Sequence, residues 1–485
     1  MHYYSVDSIR EIESQSLDLD SLMIGAGKAI WDAFIVEYPQ ARVILVLLGK
    51  GNNAGDACVF IKHALAHGLK VECAEFVENI NRQDIPMMSE DILKLNWVDL
   101  SDNQKFWDSY DVIIDGGFGI GGTRLMGVLS TSWIQAINQA HVPVVAIDIP
   151  SGLCSRTGLP LGCALVADMT VTLMAKKTGF IVGQGLDYVG KVVVNDLGEK
   201  VTSVPYELRE LKVDDLPWGN FRRRPTSHKG SCGKVVVIGG YEGLLGAAIL
   251  SAESALKMGA GYVKLWTLEE HVKQVPVYCP DIVVCSEAQM SLSEIISWAD
   301  TVLIGPGLGR TQWGEGVFDQ VVACCHGKPL VLDADALYWL AKKKPDLTTP
   351  TIITPHAGEA GMLMGEDASF VQKNRQKVAR KLTTQYSACV VLKGAGTLIS
   401  YPSDTIMSVC CYGHSAMSTA GMGDVLAGMV VSSISQLKSV NDGVAMAVTL
   451  HSKAGEDLAV HLSYGLMAND VVKIIPKVLN ELVNQ

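Results

Sequence analysis

Val43-Ile44-Leu45-Val46-Leu47-Leu48-Gly49-Lys50-Gly51-Asn52-Asn53-Ala54-Gly55-Asp56 joins an unbroken aliphatic run to a turn of glycines and asparagines. Continuous Val, Ile and Leu, rather than apolar–polar alternation, mark a strand buried on both faces, as in a parallel sheet covered by helices. The next segment, Ala57 to His67, reads as a helix. The pattern repeats, with strands expected near Val71 to Phe76, Val112 to Asp115, Val144 to Asp148, Met169 to Leu173 and Lys191 to Val194. A second series is expected at Lys234 to Ile238, Tyr262 to Trp266, Thr301 to Ile304, Leu330 to Asp333, Thr351 to Thr354, Ala388 to Lys393 and Thr397 to Ser400. Two three-layer α/β/α domains follow, residues 1–210 with a Rossmann-like, mostly parallel sheet and residues 222–485. The boundary falls within Pro205 to Pro225, where Arg222-Arg223-Arg224 reads as a solvated hinge.

Composition narrows the partners. A formal charge of −11 over 485 residues argues against nucleic acid and against an anionic membrane surface, which both require a basic face. The 12 cysteines include no CxxC pair, and Cys324-Cys325 and Cys410-Cys411 lie in apolar surroundings, as buried reduced thiols do. No apolar run approaches the roughly 20 residues of a membrane span, and the start of the chain lacks a basic flank before an apolar core. A cytoplasmic location is the expectation.

Open parallel sheets bind ligands at the carboxyl ends of their strands, and the chemistry-bearing residues collect there. In the first domain Asn52, Asn53 and Asp56 follow one strand, Asp115 another, and Asp148 with Ser151 a third. Their oxygens could hold a weakly charged hard cation, or the asparagines could merely shape an Asx turn and cap a helix. Asp148 and the lysines of Ala175-Lys176-Lys177-Thr178-Gly179 offer an acid and an amine for proton transfer. The GxxxxGK[ST] order of a Walker A loop is absent, and neither domain opens with the strand-GxGxxG-helix of a dinucleotide dehydrogenase.

In the second domain Gly246-Ala247 open a helix at which backbone can approach a ligand closely, and Gly305-Pro306-Gly307-Leu308-Gly309 end a strand. Asp333-Ala334-Asp335 and Thr354-Pro355-His356-Ala357-Gly358-Glu359 bring acids and an imidazole to the same edge, where Asp335 could orient a hydroxyl or amide and His356 could stack. Zinc lacks the usual ligand spacing. Lys393-Gly394-Ala395-Gly396-Thr397 present an amine and a hydroxyl on a glycine turn, which suits a phosphate. Gly421-Met422-Gly423-Asp424 then place backbone N–H groups and one carboxylate at the start of an apolar helix. That is the layout of a phosphoryl-transfer site, with Asp424 as the base that deprotonates a hydroxyl.

Taken in order, the 49–56, 113–119, 146–152 and 175–179 segments resemble the epimerase domain of bifunctional NAD(P)H-hydrate repair enzymes. The resemblance implies Asp148 and Lys177 as acid and base, and Asn53, Asp115 and Ser151 around a potassium ion. The 305–309, 333–336, 354–359, 393–397 and 421–424 segments resemble the ribokinase-like, ADP-dependent NAD(P)H-hydrate dehydratase domain. That resemblance implies NADH and NADPH hydrates and ADP as ligands, Mg2+ with the nucleotide, Asp424 as catalytic base and a homo-oligomer.

Departures from the family pattern are Ala54 and Ala57 where glycines are usual, and Gly116-Gly117 where Ala and a bulky residue are common. His414, Ala357 and Tyr338 also replace the usual Asn, Pro and Asn. The rival reading is a ribokinase-like kinase for a small alcohol or vitamin precursor, carrying a non-catalytic first domain.

Overall fold

The computed structural model describes residues 1–15, 18–77, 80–100, 107–122, 125–199 and 204–484. The chain divides into two compact units, Met1–Arg209 and Glu210–Gln485.

The sheet of the first unit runs in the order Asn96–Val98, Lys70–Glu75, Val43–Leu48, Val112–Gly116, Val144–Ile147, Met169–Leu173, Lys191–Asn195, every pair parallel. Alternate residues of each strand enter different cores. Ile44, Val46 and Leu48 pack with Trp31, Phe34 and Phe60, whereas Leu45 and Leu47 pack with Trp133 and Ile134. Helices Leu19–Glu37 and Asn52–Ala66 therefore cover one face and Val128–Gln139 the other. Before this sheet, strand His2–Tyr4 pairs with Lys176–Lys177 and leads into helix Val6–Gln15.

Seven parallel strands build the sheet of the second unit, ordered Val283–Cys285, Tyr262–Trp266, Lys234–Ile238, Thr301–Ile304, Leu330–Leu332, Thr351–Ile353, Cys389–Leu392. Thr397–Ser400 and Met407–Cys410 extend it as an antiparallel meander. Val235, Val237 and Leu303 pack on helices Leu245–Lys257 and Met422–Leu437, while Val236, Ile238, Val302 and Ile304 are buried on the opposite face.

Some expectations need correction. Asn96–Val98, Val283–Cys285 and Met407–Cys410 are strands without the long aliphatic run by which the others were found. The first long helix after the asparagine turn starts at Asn52, five residues before the expected start. The arginine run is exposed, as expected of a solvated segment, but it lies inside the second unit and two of its side chains are tethered: Arg222 Nε donates to Val483 O at 3.0 Å and Arg223 Nη2 to Gly259 O at 2.6 Å. Among the described residues, no helix is long and apolar enough to cross a membrane.

Candidate active sites

A cavity of about 900 Å³ in the first unit is walled by Asn52, Asn53, Asp56, the 117–122 loop, Asp148, Gly152 and Met174, with Arg10 and Glu13 from the first helix. Helix Asn52–Ala66 is capped by Gly51 with no side-chain cap bond, so neither asparagine is consumed as a cap. Asn53 Nδ2 is buried without a hydrogen-bond partner, a costly unpaired donor on a residue of the cavity wall. Burial, together with the charges of Asp148 and Glu13, raises the Asp56 pKa well above the usual carboxylate value.

Asp148 takes φ 64°, a conformation that Asp tolerates better than most residues. Its Oδ1 accepts from Leu173 N at 3.1 Å and from Lys177 Nζ. Lys177 is fully buried, and its ammonium also donates to Thr172 Oγ1 at 2.7 Å and Leu173 O at 2.9 Å. All three N–H donors are thus spent. The expected pair is brought together, but only Asp148 reaches the cavity wall; Lys177 stands behind it.

Asp115 is inaccessible to solvent and forms a closed circuit with Ser151. Oδ1 accepts from Ser151 Oγ at 2.6 Å and from Gly117 N at 3.1 Å, and Oδ2 accepts from Ser151 N at 2.7 Å. Burial pushes its pKa up to about 6, and these donors hold it from rising further. No ion pair reaches Asp115 among the described residues. A buried carboxylate short of positive charge is a chemical environment suited to a monovalent cation; the unpaired atom of Asn53 is its amide nitrogen, a donor, so that residue could offer a cation only its Oδ1.

In the second unit the expected residues meet at the carboxyl edge of the sheet. Lys393 Nζ donates to Asp333 Oδ1 at 2.9 Å and lies 3.8 Å from Glu359 Oε2. Asp333 also accepts from Thr354 Oγ1 at 2.7 Å. Burial lowers the lysine's pKa, and the charges of Asp333, Glu359 and Asp424 more than reverse that effect, so the amine stays cationic.

Helix Met422–Leu437 begins at Gly421 with φ 90°, a left-handed entry open to glycine, and without a side-chain cap. Asp424 is therefore free of capping duty. Burial, then the negative charge of Asp333, raises its pKa to about 7, the value that suits a general base near neutral pH. Gly423 faces the same cluster: a Cβ there would lie 3.1 Å from Lys393 Nζ. His451, behind this turn, has a buried Nε2 without a partner, and burial pulls its pKa down to about 4, so it stays neutral.

The glycine loop 305–309 packs against Leu244, just before Gly246 and Ala247 in the first turn of helix Leu245–Lys257. Gly307 and Gly246 are thus neighbours on one wall. Asp335 is less free than expected, because Gly309 N and Arg310 Nε donate to its two oxygens at 3.0 and 2.9 Å. It fastens the loop. His356 Nδ1 caps helix Ala357–Met364 by accepting from Gly358 N at 2.9 Å, which leaves the exposed ring face available for stacking. Thr397 Oγ1 donates to Gly394 O at 2.9 Å, closing the turn that Gly394 and Gly396 form beside Lys393.

The sequence places Asp333 and Glu359 at the sheet edge without giving them a role, and it gives Glu13 and Arg375 no place in either site. Asp333 and Glu359 had a signal, since each follows a strand end. Glu13 and Arg375 had none, because their helices come to the sites only by tertiary packing.

A parallel-sheet unit with a carboxylate-lined cleft, joined in one chain to a unit that gathers a lysine and acids beside a glycine turn at a helix start, defines a two-domain α/β protein. Residues 19–179 match the family described as YjeF-related protein N-terminus, and residues 235–477 match the family described as NAD(P)H-hydrate dehydratase. The chain is similar to the bifunctional NAD(P)H-hydrate repair enzyme Nnr of Escherichia coli (strain K12), at 33% identity over 488 residues, covering 98% of this chain and 93% of the relative. Among solved structures, a ribokinase-like superfamily protein of Enterococcus faecalis V583 superposes with TM-score 0.53 and 26% identity, over 57% of this chain and 97% of that one. The ADP/ATP-dependent NAD(P)H-hydrate dehydratase of Bacillus subtilis, co-crystallised with ATP and Mg2+, gives TM-score 0.51 and 25% identity, over 57% of this chain and 99% of that one. The chain belongs to the family of bifunctional NAD(P)H-hydrate repair enzymes.

Proposed function

We propose that this chain restores hydrated NADH and NADPH: the first unit interconverts the R and S hydrates, and the second dehydrates the S form with ADP, releasing AMP and phosphate. The observation that carries the reading is Asp424, its pKa raised to about 7, next to Lys393 and Asp333 on a glycine turn at a helix start. The kinase alternative has no use for the whole first unit, and the relatives that span nearly the full chain do not favour it.

In the second unit, Asp424 takes the proton of the ring hydroxyl as its oxygen attacks the terminal phosphorus of ADP, and the bond to AMP breaks. The N–H groups of Gly421, Met422 and Gly423 stabilise the charge on the transferring phosphoryl group, a type of donor worth roughly 3 kcal/mol where one has been deleted. Phosphate then leaves with its bonding pair as the ring nitrogen forms a double bond to carbon. Loss of a proton from the adjacent carbon restores the dihydronicotinamide. Among the described residues no cluster of three acidic, histidine or cysteine side chains could hold Mg2+ by itself, so the ion would enter with the nucleotide and offset phosphate charge there.

In the first unit, Asp56, whose pKa burial raises well above the usual carboxylate range, is the acid that donates to the departing hydroxyl. Asp148, positioned by its pairing with Lys177, accepts the proton of the water that returns on the other face. Asn52 and Asn53 position the ring amide. Potassium fits Asn53, Asp115 and Ser151, where it would neutralise the buried Asp115 carboxylate.

The test uses purified protein with mixed R and S NADH hydrates, magnesium and either ADP or ATP, following dihydronicotinamide absorbance and released phosphate. Complete conversion that Asp424→Ala abolishes is the expected result. Conversion that stops near half would remove the epimerase assignment, and no conversion with either nucleotide would overturn the reading.

A further inference from the structure

We infer that Arg375 is a cationic brace for the nucleotide-phosphate turn Lys393–Thr397, a positioning residue that binds no substrate itself. The inference rests on the nucleotide reading of the second unit and adds a residue to it. Arg375 opens helix Arg375–Tyr386 and is 3% exposed. Its guanidinium grips the turn from within: Nη2 donates to Leu392 O and Gly396 O, both at 3.1 Å, and Nη1 to Lys393 O at 3.3 Å. Gly394 lies against the same group at φ 139°, and a Cβ there would sit 2.9 Å from Nη1. One planar fork therefore fixes both ends of the glycine turn and the backbone of Lys393.

A buried guanidinium normally faces a carboxylate. Among the described residues none pairs with Arg375, Nε has no acceptor at all, and burial lowers the pKa to about 10, still well above physiological pH. Among the described residues its full positive charge is met only by those backbone carbonyls and by Gln372 Oε1, which accepts from Nη1 at 3.4 Å. On the other side of the turn, Asp333, Glu359 and Asp424 surround Lys393, so this edge is acidic and repels an anionic nucleotide. An unneutralised cation behind the turn counters that field and is stabilised in return when phosphates arrive. The fork geometry explains why arginine, and not lysine, occupies the position.

The experiment compares the full chain with Arg375→Lys and Arg375→Met. It measures KM for ADP and for the hydrate separately, ADP·Mg2+ binding by calorimetry, and the increase in Tm on adding ADP·Mg2+. Epimerisation by the first unit of the same molecules controls for integrity. The expected result is an ADP affinity weakened roughly ten- to hundredfold in Arg375→Met, consistent with hydrogen bonds to a charged group, and by less in Arg375→Lys. The hydrate KM is expected to stay near wild type, and the ADP-induced rise in Tm to shrink. A lower Tm of the free enzyme with an unchanged ADP-induced increment would reduce Arg375 to a packing residue and overturn the inference, as would equal increases in both KM values. If the wild type binds neither ADP nor ATP, the nucleotide reading itself fails and this inference falls with it.

Discussion

Ala57 and Gly116 share the space of one methyl group: a Cβ on Gly116 would lie 2.7 Å from the Cβ of Ala57, closer than real carbons approach. The family pattern has the small residue on the helix and the methyl on the strand; here the two are exchanged. Ala57 lies within helix Asn52–Ala66 and is not among the residues of positive φ, so its methyl strains nothing. The departures at 57 and 116 are therefore one compensated change rather than two lesions in the epimerase cleft.

Gly116→Ala alone is expected to overpack the strand end and cost about 1–3 kcal/mol. Combined with Ala57→Gly it should recover part of that loss, less about 1 kcal/mol for glycine in a helix. Urea unfolding of the four proteins in the cycle measures the coupling; additive effects would show that the methyl groups do not compete.

Asp424 must be ionised to act as a base. With a pKa near 7, its protonated fraction grows as pH falls. Dehydratase kcat/KM should therefore drop about tenfold per pH unit below 7 and level off above it, because kcat/KM follows the free enzyme. Asp424→Asn should remove the activity with little loss of stability. A flat profile from pH 5 to 9 would exclude Asp424 as the base.

The pKa of Asp115 is about 6 in the fold, against 3.8 for the free side chain. The folded state thus binds the proton more tightly than the unfolded state between those values, and stability falls as pH rises through that window. The loss above pH 6 is on the order of 3 kcal/mol, and a cation at the carboxylate should offset it. At pH 7, KCl in place of choline chloride should raise the stability of the first unit, and Asp115→Asn should abolish that difference. Equal potassium responses in both proteins would count against the site.

Removing one partner of a buried ion pair leaves the other charge unpaired, which typically costs about 3–5 kcal/mol. Lys177→Met should therefore destabilise the first unit and stop epimerisation, whereas Lys177→Met with Asp148→Asn should regain stability without activity. Asparagine is the suitable replacement at φ 64°, since it tolerates that conformation. Thermal melts and epimer exchange rates separate the two effects; an active double variant would exclude Asp148 and Lys177 from the chemistry.

The sequence by itself determined the strand–turn–helix grammar, the division into two α/β parts and most of the residues at the strand ends. Aliphatic runs and glycine turns act over a few residues, so each is legible from its own segment. Short strands such as Asn96–Val98 were not, because without a long run only pairing with a neighbour makes them strands. Which polar groups remain free for chemistry was decided only by tertiary structure. Asp335 and His356 carry the right groups but are drawn into holding a loop and capping a helix. Asp333 and Lys393, 60 residues apart, become partners through sheet order, and Glu13 and Arg375 arrive on helices with no motif of their own. Burial and long-range charge raise the pKa values of Asp424 and Asp56, and both come from the folded packing rather than from neighbours in the chain.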